Sequence, residues 1–236
     1  MLKKELKRFA LAASAFAALA AATPAVSNAK AITVAVSATF TTLDPYDASD
    51  ILTRIASKSI YEGLFYFDAK MQLVPELAEG YTVSPDAKVF TVTLKKGVKF
   101  HDGTEFTADA VKMNFDRLLN PENHLSRYQV YKFIDKVEVL DPYTVRFTLK
   151  TPLATFPRRL AMTSPQMICP SLIKDAKGIE GKKITAFNAC GTGPYKLEYF
   201  NPSEKLVVKK NPDYRIKGLP KLDGITWPGL TITNFY

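Results

Sequence analysis

The decapeptide GTGPYKLEYF, Gly191–Phe200, joins a turn to the start of a strand. Two glycines around a threonine allow a sharp turn, and Pro194 sets φ for entry into extended backbone. Tyr195, Leu197 and Tyr199 alternate with Lys196, Glu198 and Phe200, the period-2 signature of a strand. Asn201-Pro202-Ser203-Glu204 is a turn, Leu206, Val207 and Val208 make the return strand, and Asn211-Pro212-Asp213-Tyr214 closes the unit. The rest of the chain from Ile32 onward leads away from this point and back to it.

At the amino end, Lys3, Lys4, Lys7 and Arg8 precede a 14-residue apolar run, Phe9–Ala22, mostly alanine. A membrane span needs ~20 residues, and small residues suited to cleavage follow at Ser27-Asn28-Ala29 and Ala29-Lys30-Ala31. Residues 1–29 therefore read as a secretory signal peptide and the mature chain as periplasmic, starting near Lys30 or Ile32. Without that segment the formal charge falls from +9 to +6. The remaining lysines are scattered, with no interleaved aromatic residues in a groove-like pattern, so a solvated surface explains them better than nucleic acid. Cys169 and Cys190 are the only cysteines. An even pair in an exported chain suggests a disulfide worth about 3 kcal/mol, and two separate buried thiols are the alternative.

Ile32–Val36 reads as a strand running into the polar loop Ser37–Pro45. Ser37, Thr39 and Thr41, with the ring of Phe40, are groups that a small-molecule site uses. Ile51, Ile55, Ile60 and Leu64 fall near helical spacing after capping aspartates, which predicts an amphipathic helix against a sheet. From Ala69 to Phe106 the pattern is β. His101-Asp102-Gly103-Thr104 reads as a turn rather than a catalytic dyad or metal site. Thr107 opens a helix with Val111, Phe115, Leu118 and Leu119 on one face. Asp141–Thr144 makes a hairpin turn, Pro152–Leu160 a second helix, and Thr163–Gln166 leads back to the glycines. Met162 and Met167 read as core.

Five stretches carry a resemblance. They are LDPYDASD (Leu43–Asp50), PELAEGYTVSPDAKVFTVTLKKGVKFHDGTEFTADAVKMNFDR (Pro75–Arg117), DPYTVRFTL (Asp141–Leu149), GTGPYKLEYF and NPDY (Asn211–Tyr214). Together they resemble the periplasmic solute-binding proteins of the peptide, opine and nickel class of ABC importers. Phe40–Ala48 and Asn123–Pro142 are most similar to the glutathione-binding branch of that class.

The resemblance implies a mixed α/β chain of the type II clamshell kind, in its three-part form. Residues 30–50 and 189–230 would make a noncontiguous hinge-proximal lobe, and 51–188 its inserted extra domain. The text after Leu230 departs from the family pattern, so 231–236 reads as an atypical tail ahead of a second lobe that does not follow. The implied function is to bind glutathione or a short peptide and deliver it to an inner-membrane ABC permease. That role needs no catalytic residue, metal or cofactor, and the expected state is monomeric. The candidate ligand residues are Ser37, Thr39, Phe40, Thr41, Arg127, Tyr128, Ser164, Gln166, Gly191, Thr192 and Gly193. Arg127 is the expected carboxylate partner, while Arg158 and Arg159 read as solvated. An exported hydrolase or metal-dependent enzyme on a mixed scaffold is the alternative reading.

Overall fold

The computed structural model describes residues 30–163 and 165–229. The expected signal peptide, candidate Ser164 and the tail 231–236 lie outside them. Strands fall into two four-stranded sheets and a hairpin. In the first sheet the order is β1 (Ala31–Thr33), β10 (Gly224–Pro228), β9 (Lys205–Lys210), β8 (Tyr195–Asn201). β1 runs parallel to β10, and the other neighbours are antiparallel. The opening strand thus pairs with residues almost two hundred positions later. Beyond β1 the Val34 N–H still donates to Thr226 O at 2.8 Å.

The second sheet is wholly antiparallel: β4 (Ala78–Val83), β5 (Val89–Leu94), β7 (Thr144–Leu149), β6 (Ile134–Asp141). β2 (Phe65–Phe67) and β3 (Leu73–Pro75) form the separate hairpin. Phe90, Val92 and Leu94 turn one face of β5 inward, as the alternation requires. The helix Ala108–Leu119 buries Val111, Phe115 and Leu118. Phe115, Phe147, Phe156 and Phe90 meet with ring centroids 5.0–5.3 Å apart, in tilted and edge-on contacts. One continuous apolar core runs from these rings to Phe40 and Trp227 under the first sheet.

Two helix expectations are corrected. The helix after Asp50 spans only Ile51–Ser57, with the Asp50 carboxylate accepting from Thr53 N at 2.7 Å. Its buried residues are Thr53, Ala56 and Ser57, whereas Ile51 and Ile55 are 67% and 60% exposed. Ile60 and Leu64 are buried only after the chain has left the helix, so they do not share its face. The second helix spans Phe156–Leu160 rather than Pro152–Leu160. A helix begun at Pro152 would set the Pro157 ring against the carbonyl four residues back, so Pro157 fits only in a first turn.

The alternation of β8 also breaks. Its register against β9 slips between Leu197 and Tyr199, so Tyr195, Leu197 and then Phe200 share the side of Val208 and Leu206. Phe200 packs edge-on against Phe40 at 6.4 Å, while Tyr199 turns out and donates to Glu204 at 2.5 Å. One extra residue in a strand inverts every side chain beyond it. The helix Gly178–Phe187 has no counterpart in the sequence reading, because its two glycines and exposed Ile179, Ile184 and Phe187 give no inward stripe. Thr185 is buried instead.

Candidate functional site

The Gly191–Gly193 loop is a buried seam. Gly193 N donates to Ile60 O and Tyr195 N to Ser59 O, both at 2.9 Å. A Cβ on Gly193 would stand 2.6 Å from the Ile60 carbonyl carbon and oxygen, and one on Gly191 would stand 2.3 Å from Ile60 O. Neither glycine has positive φ. Glycine is needed here for close backbone approach, not for a left-handed turn. From the other side, Asn211 Nδ2 donates to Gly193 O at 3.1 Å, and Asn211 N donates to Pro194 O at 2.8 Å. The Asn-Pro-Asp-Tyr turn therefore holds the Gly-Thr-Gly loop in place.

Thr192 leads to a buried acid. Glu62 is nearly inaccessible and accepts from Thr192 Oγ1 at 3.0 Å, Tyr214 Oη at 2.8 Å and Arg215 Nη2 at 2.6 Å. Burial acts to lower the Arg215 pKa, but the hydrogen bond and charge of Glu62 outweigh it and raise it. Next to this pair, Glu76 accepts from Gly63 N at 2.7 Å, and burial together with the Glu62 charge pushes its carboxyl up to about 7. The cluster ties the seam, the segment after the first helix and the end of the Asn-Pro-Asp-Tyr turn into one unit.

The remaining candidates divide by exposure. Ser37, Thr39 and Thr41 are exposed, and Thr41 Oγ1 donates to Asp50 at 2.7 Å. Phe40 is buried against Phe200 and Trp227, and Gln166 is buried, accepting from Ser57 Oγ at 3.0 Å. Tyr128 is half-buried. Arg127 spends its Nε and Nη2 on the Ala48 carbonyl, at 3.1 and 2.7 Å. Those two donors thus pin the Leu43–Asp50 loop. Arg158 and Arg159 are both exposed, as expected; the Arg158 guanidinium also lies 4.7 Å from the Phe67 ring centre, in a concavity of about 270 Å³ that Met162 also lines. Met167 is core.

Residues 72–229 match the family described as "Bacterial extracellular solute-binding proteins, family 5 Middle". The chain belongs to this family. It is 50% identical over 224 residues to the glutathione-binding protein GsiB of Salmonella typhimurium (strain LT2), covering 95% of this chain and 43% of GsiB. The chain thus spans less than half the length of the curated relatives it matches. Among solved structures it resembles the PBP AgaA in complex with agropinic acid from A. tumefaciens R10, at 32% identity and TM-score 0.76, over 85% of this chain and 40% of AgaA. It also resembles DppA from Helicobacter pylori in complex with the peptide STSA, at 26% identity and TM-score 0.72, over 86% of this chain and 43% of DppA. The mixed α/β fold is therefore that of part of a type II periplasmic binding protein. The relatives it matches are binding proteins. Among the described residues no helix is long and apolar enough to cross a membrane.

Sequence reasoning takes His101 of this family 5 chain for a turn residue and misses its partners. His101 N donates to Gly191 O at 2.8 Å, its Nδ1 accepts from Gly191 N at 3.2 Å, and Nε2 lies 3.0 Å from Gly193 O. This pattern assigns the proton to Nε2 in a neutral ring. Burial lowers the pKa to about 4, with the Gly193 bond opposing. Protonation would cost Nδ1 its acceptor role, so the clamp loses stability as pH falls from the ordinary 6.5 through 4. Glu76 works in the opposite sense: with its pKa raised, stability declines as pH rises from 4.5 to about 7. The expected result is an imidazole NMR titration for His101 centred near 4. A midpoint near 6.5 would refute the neutral clamp.

Cys169 and Cys190 are joined by a disulfide. An Asp102 oxygen and the two sulfurs lie within 4.8 Å of one another, but sulfurs bonded to each other offer a metal no thiolate.

Proposed function

We propose that this chain is the ligand-holding part of an exported substrate-binding component of an ABC importer, taking glutathione or a short anionic peptide for delivery to an inner-membrane permease. The observation that carries the reading is 50% identity over 224 residues to a protein named for binding glutathione. Structural likeness to DppA, solved with a peptide, supports the same ligand class. In this reading residues 30–50 with 189–230 form the hinge-proximal lobe, 51–188 its inserted domain, and 1–29 a cleaved leader.

The candidate ligand surface is narrower than the sequence suggests. Exposed Ser37, Thr39 and Thr41, with half-buried Tyr128 and Arg127, are the groups left to meet a ligand. Phe40, Gln166, Gly191, Thr192 and Gly193 are already used by burial and backbone packing. Ser164, next to Pro165, stays a candidate from sequence.

The test is calorimetric titration of the complete gene product with glutathione, an anionic dipeptide and a neutral dipeptide. Saturable binding of the anionic ligands, without chemical turnover, is expected. Hydrolysis of the peptide, or binding of none of the three, would overturn the reading.

A further inference from the structure

Resting on the peptide-binding reading, the structure adds a residue to it. Arg54, on the helix Ile51–Ser57, and Arg127, just before the helix Tyr128–Tyr131, are anchored on consecutive carbonyls of one loop. Arg54 Nη1 donates to Ser49 O at 3.2 Å, and Arg127 Nε and Nη2 donate to Ala48 O. Among the described residues neither guanidinium has a carboxylate within ion-pair distance.

The nearby acids are already engaged. Asp50 gives one oxygen to Thr41 Oγ1 and the other to Thr53 N, each at 2.7 Å. Asp47 takes Ser126 Oγ at 2.7 Å and Lys182 Nζ at 2.9 Å. Among the described residues Arg54 Nε is buried with no hydrogen-bond partner. Burial and then the charge of Arg54 lower the pKa of Arg127, against the pull of Tyr131 and Asp50.

Two partly buried cations that repel each other, with donors unspent, form an unfavourable arrangement that an anion relieves. Beside them stand the exposed Thr41 and Ile51, the latter one turn before Arg54. We infer that Arg54 and Arg127 together form a carboxylate subsite, with Arg54 as the residue that selects an anionic over a neutral ligand. The ligand class is a peptide carboxylate, held by two guanidiniums that are themselves fixed to the backbone.

The test follows the arginine side-chain NMR signals of the ¹⁵N-arginine-labelled complete gene product during titration with glutarate and, separately, with neutral glutaramide. Signals of Arg54 and Arg127 should move together and saturate with glutarate, and stay still with glutaramide. In Arg54→Gln, the Arg127 response should need about tenfold more glutarate, as loss of one charge-assisted hydrogen bond implies. Arg54→Lys should recover part of it. An Arg54 signal unmoved by glutarate, or an Arg127 response unchanged in Arg54→Gln, would overturn the assignment. Glutathione added to the same wild-type sample separates the two claims. If it binds while Arg54 is silent, the subsite falls and the peptide reading stands. If glutarate engages both arginines and neither glutathione nor either dipeptide binds, the subsite stands and the peptide reading falls.

Discussion

Asp44→Ala should destabilise the protein by about 3–5 kcal/mol, the cost of stranding one member of a buried ion pair. Asp44 and Arg117 are both buried, with Arg117 Nη2 2.6 Å from Asp44 Oδ2. Thr185 Oγ1 donates to the same oxygen at 2.7 Å, and Tyr46 N donates to Asp44 Oδ1 at 2.9 Å. The pair thus joins the opening loop, the long helix Ala108–Leu119 and the helix Gly178–Phe187. Among the described residues Arg117 Nε and Nη1 are buried without hydrogen-bond partners, and Asp44 is the one carboxylate paired with the guanidinium. Burial pushes the hydroxyls of Tyr46 and Tyr61 well above the ordinary range, and the Asp44 charge adds to this while Arg117 opposes it.

The double variant Asp44→Leu/Arg117→Met should recover most of the loss, because it leaves no charge to desolvate. Urea denaturation midpoints measure both variants. A loss below about 1 kcal/mol for Asp44→Ala would mean the pair is solvated in solution.

Cys190→Ser is expected to cost about 3 kcal/mol, the loop-closure value for cysteines 21 residues apart. Its second effect is local. Cys169 N donates to Cys190 O at 2.8 Å, directly before the seam that His101 and Asn211 hold. Without the covalent tie, amide exchange at Gly191 and Gly193 should accelerate more than exchange in the second sheet. That contrast distinguishes a loosened seam from uniform destabilisation. Unchanged stability, together with free labelling of both thiols in the unreduced native protein, would refute the bond.

Elements with a strong local signature are legible in the amino-acid sequence. The helix from Thr107 has apolar residues at helical spacing, and the hairpin turns at Asp141–Thr144 and Asn201–Glu204 carry turn residues between strand patterns. The cysteine pair is legible from compartment and parity. The resemblance extends this to the family, and the match over residues 72–229 agrees. The chain loses legibility where a neighbour distant in sequence decides the outcome. Arg127 reads as an open fork, yet its donors meet Ala48 O. His101 sits in the turn expected from the sequence, yet its ring nitrogens also face the seam, which no local pattern shows.

The sequence alone determined the helix from Thr107, the hairpin turns and the strand patterns beside them, because helix and strand periods, proline's fixed φ and turn chemistry act between residues a few positions apart. Tertiary structure alone decided which side of β8 Phe200 occupies, why Gly191 and Gly193 must be glycine, and which arginines keep unspent donors. Those outcomes depend on backbone and side chains brought together from far along the chain. A glycine whose added Cβ would stand 2.6 Å from a distant carbonyl, or a carbonyl within reach of a guanidinium, leaves no periodic mark in the sequence.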